Sequence, residues 1–187
     1  MQGIIRPTSW DVDAVAAATG VPRATLMQWC KRDSGVISLN GHVDERGKRG
    51  AGHAHRFGLD SVIHVATIGH LTRLSISPSR AAMCSLSFCF AGGEVAADGT
   101  YRLPGHLFHG DGITLLISRP DRVYGQLMEI QRTAPAFRAW IDTAEAALGC
   151  AIVNMNRLVN EVHQKLGLTD ADIVQAPYAA FTSEAAD

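Results

Sequence analysis

Two short helical segments, separated by a glycine and a proline, constrain the fold of this chain more than any other feature. The first segment spans Trp10–Ala18, and Ser9 directly before it is predicted to be its N-cap. Gly20 ends that segment, and Pro22 is predicted to open the second at its first helical position, where proline is favoured. The second segment is predicted to continue to Arg32. Two short helices at this spacing are typical of a helix-turn-helix.

The second helical segment has an apolar side and a polar side. The apolar residues that we expect to pack together within the motif are Val12, Val15, Ala16, Val21, Leu26 and Trp29. The polar residues that this packing leaves facing outward are Arg23, Thr25, Gln28, Lys31 and Arg32. Side chains of these types contact phosphates and base edges in the major groove of DNA. An ordinary helical hairpin with a solvated polar face also fits the pattern. The choice between such a hairpin and a DNA-binding motif depends on the segments that follow.

A glycine-rich, cationic segment follows the two helices over residues 33–56. Residues 37–39 are predicted to form a short strand, and the remainder is predicted to be a flexible loop. A cationic loop without bulky apolar groups fits a wing that lies along a phosphate backbone, and a solvated surface loop is the alternative. The cationic residues are Arg46, Lys48, Arg49 and Arg56.

The charge of the chain is unevenly distributed. The net charge of -1 over 187 residues excludes a uniformly basic protein that coats nucleic acid. However, residues 1–80 carry ten Lys or Arg against six Asp or Glu, whereas residues 81–187 carry seven against twelve. This asymmetry indicates an anionic partner for the N-terminal part and a different role for the rest.

The remaining sequence alternates between helix and strand patterns and predicts an α+β fold. Two further helices are predicted, over residues 59–74 and from Ser77-Pro78 to Gly92-Gly93. The elements predicted downstream are strands over 113–118, 123–130 and 151–153 and helices over 134–148 and 156–166.

This pattern predicts three parts of the chain. They are a winged helix-turn-helix domain over residues 1–92, a small α+β unit over 93–168 and a flexible tail over 169–187. The α+β unit, of about 75 residues, is small for an independent domain. We therefore expect it either to pack against the winged helix or to bury its sheet in a dimer.

Three short motifs follow one another in the first half of the chain. Residues 15–26 read VAAATGVPRATL, residues 55–62 read HRFGLDSV and residues 71–77 read LTRLSIS. Each motif is similar to a pattern of one protein family. The first is similar to its VA..TGV...TL opening, the second to its YR.Y...DV entry to the third helix, and the third to its L..LG.SL step between helices three and four. Roughly residues 10–90 thus resemble the winged-helix DNA-binding domain of the mercury-resistance-regulator (MerR) family.

The resemblance implies roles for individual residues. It implies that Arg23, Thr25 and Gln28 lie on a recognition helix and that Arg56 is a wing-side arginine that contacts phosphate. Where that family has an arginine and two tyrosines, this chain has residues 27–29, Met-Gln-Trp. Its members also continue into a long dimerisation helix that is not found here. Since one recognition helix alone rarely gives specific affinity, we expect a homodimer formed through residues 113–166.

Together these patterns predict a sequence-specific, DNA-binding transcriptional regulator. Its expected partners are double-stranded DNA and a second copy of the chain, with residues 94–166 available to an effector or a protein partner. No cofactor is expected, and no apolar run is long enough to cross a membrane, so a cytoplasmic location is predicted. The predicted DNA contacts are Arg23, Thr25, Gln28, Lys31, Arg32, Arg46, Lys48, Arg49 and Arg56.

Two alternatives stay open at this point. His106 and His109, with Asp111 close by, could hold zinc or another divalent ion in a small metal-binding sensor or enzyme. Alternatively, the chain is a phage- or plasmid-type DNA-binding adaptor whose second half recruits another protein. No nucleophile elbow, phosphate-binding glycine loop or paired zinc-binding helix motif is found, so no enzymatic activity is expected.

Overall fold

A computed structural model describes residues 9–31, 34–37, 55–95, 99, 101–108, 112–130 and 149–168. These residues form five helices and two small antiparallel sheets, which is the mixed α+β class that the sequence predicts. The first half contains β1 (Trp10–Asp11), α1 (Val12–Thr19), α2 (Arg23–Trp29), β2 (Arg56–Phe57), α3 (Leu59–Arg73) and α4 (Pro78–Cys89). The second half contains β3 (Ile113–Ser118), β4 (Gln126–Ile130), β5 (Ala151–Asn154) and α5 (Met155–Lys165).

The start of α1 differs from the prediction, whereas its end agrees with it. Ser9 is not the N-cap: Asp11 is, and its Oδ1 accepts a hydrogen bond from the Ala14 N–H at 2.9 Å. The helix begins later because residues 10–11 pair with β2 as a short antiparallel strand. At the other end, Gly20 has a φ of 69°, a left-handed conformation that favours glycine.

The second helix is shorter than predicted at both ends. Pro22 is the N-cap of α2 rather than its first helical residue, because its ψ of 138° is not helical. The helix ends at Trp29, where the Ser34 hydroxyl donates to the Trp29 carbonyl at 2.6 Å. Ile37, the first residue of the predicted strand over 37–39, is described but lies outside any strand. Residues 38 and 39 lie outside the described residues.

The helix α3 is the centre of the fold. Its residues 61–69 are all buried, and α1, α4 and α5 all contact it. The helix α4 begins at Pro78, as predicted, but it ends at Cys89 instead of reaching Gly92-Gly93. Carbonyl groups at the end of α4 accept hydrogen bonds from Arg102, which lies in the segment after the helix.

The second half is a three-stranded antiparallel sheet followed by a helix. The strand order is β4-β3-β5, and β3 matches the predicted range of residues 113–118. The strand β4 begins three residues later than predicted, since Arg80 of α4 donates to the carbonyls of Arg119 and Arg122 and holds that connection as a turn. The predicted helix over 134–148 and the predicted tail over 169–187 lie outside the described residues.

One hydrophobic core joins the two halves of the described chain. Residues of α5 and of the inner sheet face pack with the core of α1 to α4; they are Leu116, Val153, Met155, Leu158, Val159 and Val162. A smaller cluster of Leu115, Ile117 and Ile130 lies on the other face of the sheet. Of the two expected arrangements, the second half therefore packs against the helices. The division into domains 1–92 and 93–168 stays a prediction.

Close packing between α3 and the α1–α2 turn gives a first testable prediction. A Cβ added to Gly69 would lie 2.5 Å from Cγ2 of Val21, which is itself buried in the turn. Gly69→Ala is therefore expected to lower the free energy of unfolding by about 1–3 kcal/mol, although alanine is the better helix former. Urea denaturation followed by circular dichroism measures this change.

The matched control for this prediction removes the opposing methyl groups. Val21→Ala alone leaves a cavity, but in the Gly69→Ala background it also removes the clash. The double variant is therefore expected to be more stable than the sum of the two single changes predicts. An unchanged or increased stability of Gly69→Ala would contradict the close approach.

Candidate nucleic-acid interface

The outer face of α2 carries the polar side chains predicted to contact DNA. Leu26 and Trp29 are buried, with 0% and 7% of their surface exposed, and they anchor the helix to the core. Arg23 and Gln28 are exposed, and Thr25 is half-buried. Five of the six apolar residues expected to pack within the motif are buried, and Ala16 is half-buried. The helix thus has the apolar and polar sides that its sequence predicts.

Arg23 is paired with an acidic residue of the preceding helix. Its Nε donates to Oδ1 of Asp13 at 2.8 Å, and the two side chains are 63% and 75% exposed. An ion pair this exposed contributes little to stability, in the range of about 0–1 kcal/mol. Because the contact uses Nε, it does not occupy the terminal nitrogens of Arg23, which carry four of the five N–H donors of a guanidinium.

Arg56 is held at the beginning of α1. It lies opposite Asp11 in the β1–β2 pair. Its Nε donates to the Ser9 hydroxyl at 3.2 Å, and one of its terminal nitrogens donates to the Ser9 carbonyl at 3.0 Å. The side chain is exposed. A guanidinium has five N–H donors, so two contacts to Ser9 still allow it to contact a phosphate.

The structure brings part of the predicted set together. Arg23 and Arg56 both adjoin the first turn of α1, one through Asp13 and the other through Asp11. Lys31 is exposed just beyond the end of α2. The other predicted contacts, which are Arg32, Arg46, Lys48 and Arg49, lie outside the described residues.

Sequence reasoning missed three residues of this surface. Asp11, Asp13 and Ser9 accept hydrogen bonds from a backbone N–H, from Arg23 and from Arg56, respectively. The partners in the Asp13–Arg23 pair are ten residues apart on consecutive helices. Helical periodicity within one element carries no signal for such a pair, although opposite charges on both sides of a tight helix–helix turn do suggest one.

The loop proposed as a metal site is described only in part. His106 is half-buried, and its carbonyl accepts a hydrogen bond from Arg102 at 3.1 Å. His109 and Asp111 lie outside the described residues. Among the residues that the structure does describe, no three His, Cys, Asp or Glu side chains are grouped so that they could hold a metal ion.

The cysteines of α4 are buried. The Cys84 thiol donates to the Ser118 hydroxyl at 3.2 Å. Burial raises the pKa of the Cys89 thiol to about 12, so its reactive thiolate form is strongly disfavoured at neutral pH. Both residues therefore act as packing groups between α4 and its neighbours.

Arg102 is a buried charge between α4 and β3, in a segment for which the sequence analysis predicts no helix or strand. Its residue surface is 1% exposed. It donates to backbone carbonyls of Ser87, Phe88, Ala91, Leu103 and His106, and it forms an ion pair with Glu94 at 2.9 Å. Arg102 thus binds the end of α4 to the loop that follows it.

His64 is a second buried polar group, between α3 and α4. Its Nδ1 lies 2.9 Å from the Ser85 hydroxyl oxygen, and its ring meets the Phe90 ring edge-on at 5.4 Å between centroids. Burial lowers the pKa of His64 from 6.5 to about 4, so the ring is neutral at physiological pH.

Comparison with known proteins does not assign this chain to a family. No protein-family model matches the chain, and no curated protein matches it. None of the helices in the described part of the chain is both long and apolar enough to cross a bilayer. The functional assignment therefore depends on the exposed face of α2 and on the arginines around the first turn of α1.

Proposed function

We propose that this protein is a sequence-specific, DNA-binding transcriptional regulator with a winged helix-turn-helix of the MerR type. In this proposal α2 enters the major groove, and Arg56 and the cationic segment over residues 33–56 contact the phosphate backbone. The observation that carries the proposal is the two-sided character of α2. Its residues Leu26 and Trp29 are buried, whereas its residues Arg23 and Gln28 are exposed.

The dimensions of α2 support this assignment. An α-helix is about 10–12 Å in diameter with its side chains, and the major groove, about 12 Å wide, admits one. In the groove, an arginine can bind guanine through two hydrogen bonds, and a glutamine can bind adenine in the same way. Arg23 and Gln28 would therefore supply base discrimination, and Thr25 between them would contact a base or a phosphate.

The second half would supply self-association. Specific regulators commonly bind two half-sites as a dimer, because one recognition helix buries too little surface. Within residues 113–166 the described elements are the three-stranded sheet and α5, and the self-association surface would lie on their sides that face away from the helical core. Analytical ultracentrifugation of the free protein and of its DNA complex tests the homodimer, and a monomer in both would remove this role.

The central test compares Arg23→Ala with wild type. Selection from a randomised duplex library first identifies the preferred sequence, and fluorescence anisotropy then measures affinity for it. Arg23→Ala is expected to weaken binding to that sequence by about 1–3 kcal/mol and to relax the base preference at one position. Lys48→Ala is expected to weaken binding to all sequences alike and to reduce the salt slope by about one.

A matched control separates the recognition surface from general charge. Arg157 of α5 is also an exposed helical arginine whose Nε contacts a carboxylate, that of Glu161, at 3.0 Å. Arg157→Ala should keep wild-type binding and base preference. If Arg23→Ala and Lys48→Ala both bind like wild type at salt concentrations from about 50 to 200 mM, the proposed function is wrong.

A further inference from the structure

The carboxylate of Asp13 lies on the surface that is proposed to contact DNA, where a negative charge is unexpected. It lies in the first turn of α1, is 75% exposed, and contacts the arginine at the start of α2. Asp11, also exposed, adds a second carboxylate opposite Arg56. A duplex is densely anionic, so each carboxylate on this face opposes binding to phosphate. A role confined to increasing affinity therefore does not account for Asp13.

The atoms in the Asp13–Arg23 contact suggest a different role. The hydrogen bond is donated by Nε of Arg23, at 2.8 Å from Oδ1 of Asp13. The end-on contact between arginine and guanine uses the two terminal nitrogens, with O6 and N7 as acceptors. Engagement of Nε by a carboxylate is compatible with that contact and restricts the rotamers of a long side chain. Reduced rotamer freedom lowers the entropic cost of binding.

We infer that Asp13 is a positioning residue that holds Arg23 through Nε for an end-on contact with a guanine. This inference rests on the proposed function and names the base that Arg23 reads. The same carboxylate disfavours a phosphate as the partner of Arg23, because the phosphate would meet a negative charge at close range. Asp13 thus increases specificity by two effects: it orients Arg23 for guanine, and it weakens binding to sequences without guanine at that position.

The test measures base preference and non-specific affinity in the same set of full-length variants. Selection from a randomised duplex library is carried out with wild type, Arg23→Ala and Asp13→Asn. The position at which wild type and Arg23→Ala differ is the position read by Arg23, and wild type is expected to prefer guanine there. Asp13→Asn is expected to lose most of that preference, by about tenfold, and to bind an unrelated duplex several-fold more tightly.

Glu161→Gln is the matched control. It also removes one negative charge from an exposed carboxylate that contacts Nε of a helical arginine, but on α5. This variant should keep the wild-type preference at every position. Asp13→Asn in the Arg23→Ala background provides a second control, since it should cause no further change in base preference once the arginine is absent. Circular dichroism of each variant verifies that the helices are retained.

The outcomes separate this inference from the proposed function. If wild type selects no sequence and binds no duplex, the proposed function fails. If wild type and Arg23→Ala differ at one position but the preferred base there is not guanine, the inference is overturned while DNA binding stands. It is also overturned if Asp13→Asn strengthens binding to all duplexes equally and keeps the preference for guanine.

Discussion

Arg102→Leu is expected to lower the free energy of unfolding by about 3–5 kcal/mol, the cost of removing one partner from a buried ionic network. The guanidinium donates to five backbone carbonyls and to the Glu94 carboxylate, and only 1% of the residue surface is exposed. It also lies 5.3 Å from the centre of the Phe88 ring. Leucine fills much of the space but supplies none of these hydrogen bonds.

The position of Arg102 explains why the effect should be large. The last carbonyls of a helix have no partners within the helix, and a cation is favoured at that end. Arg102 donates to the Ser87, Phe88 and Ala91 carbonyls at 2.7–3.0 Å. After substitution these acceptors and the Glu94 carboxylate would lose a buried donor. Each loss adds a desolvation cost that water can offset only by entering the packed loop.

Two further variants make the measurement decisive. Arg102→Lys keeps the charge but has a compact ammonium instead of a planar fork, so an intermediate loss is expected. Arg157→Leu replaces an arginine that is 81% exposed and should change the free energy of unfolding by less than about 1 kcal/mol. Urea denaturation followed by tryptophan fluorescence compares the three variants. A loss below about 1 kcal/mol for Arg102→Leu would contradict the structural role assigned to its hydrogen bonds.

Acidification is expected to destabilise the protein through His64. Burial holds the pKa of this histidine at about 4 in the folded state, against 6.5 as its ordinary value. Between these two pH values the unfolded chain binds more protons at this site than the folded chain does. The contribution of neutral His64 to the free energy of unfolding is therefore fully present above pH 6.5. It decreases as the pH falls toward 4, by about 3 kcal/mol in total.

A variant with an uncharged amide isolates this contribution. His64→Asn places a polar atom near the position of Nδ1, from which it can still bond to the Ser85 hydroxyl, 2.9 Å from Nδ1 in wild type. It cannot gain a proton in this pH range, so its free energy of unfolding should fall less steeply than that of wild type. Urea denaturation at several pH values from 4 to 7 measures the two curves. Parallel curves would show that His64 does not titrate as its burial requires.

Several local features of the fold could be predicted from the sequence because they depend on near neighbours. Gly20 ends α1 because a left-handed residue is needed there, and glycine adopts that conformation without a steric cost. The strand over residues 113–118 agrees with a run of apolar and β-branched side chains. The burial of Leu26 and Trp29 agrees with helical spacing, which also indicated the outward face of α2.

Other features depend on contacts between residues far apart in the chain. The N-cap of α1 moves from Ser9 to Asp11 because residues 10–11 pair with β2, more than forty residues later. Nothing in the local sequence around Trp10 indicates that partner. In the candidate interface, Arg23 was predicted from helical spacing, but its partner Asp13 depends on how α1 and α2 cross.

Backbone preference and hydrophobic periodicity act over a few residues, so the sequence predicted the longer helices and strands of the described residues and the polar side of α2. The positions of the buried charges, in contrast, depend on contacts between distant segments. Arg102, in a segment with the composition of a loop, becomes one of the most buried residues because the end of α4 presents carbonyls that need a donor. A buried cation is stable only where acceptors from separate segments converge on it, and that convergence is a property of the fold.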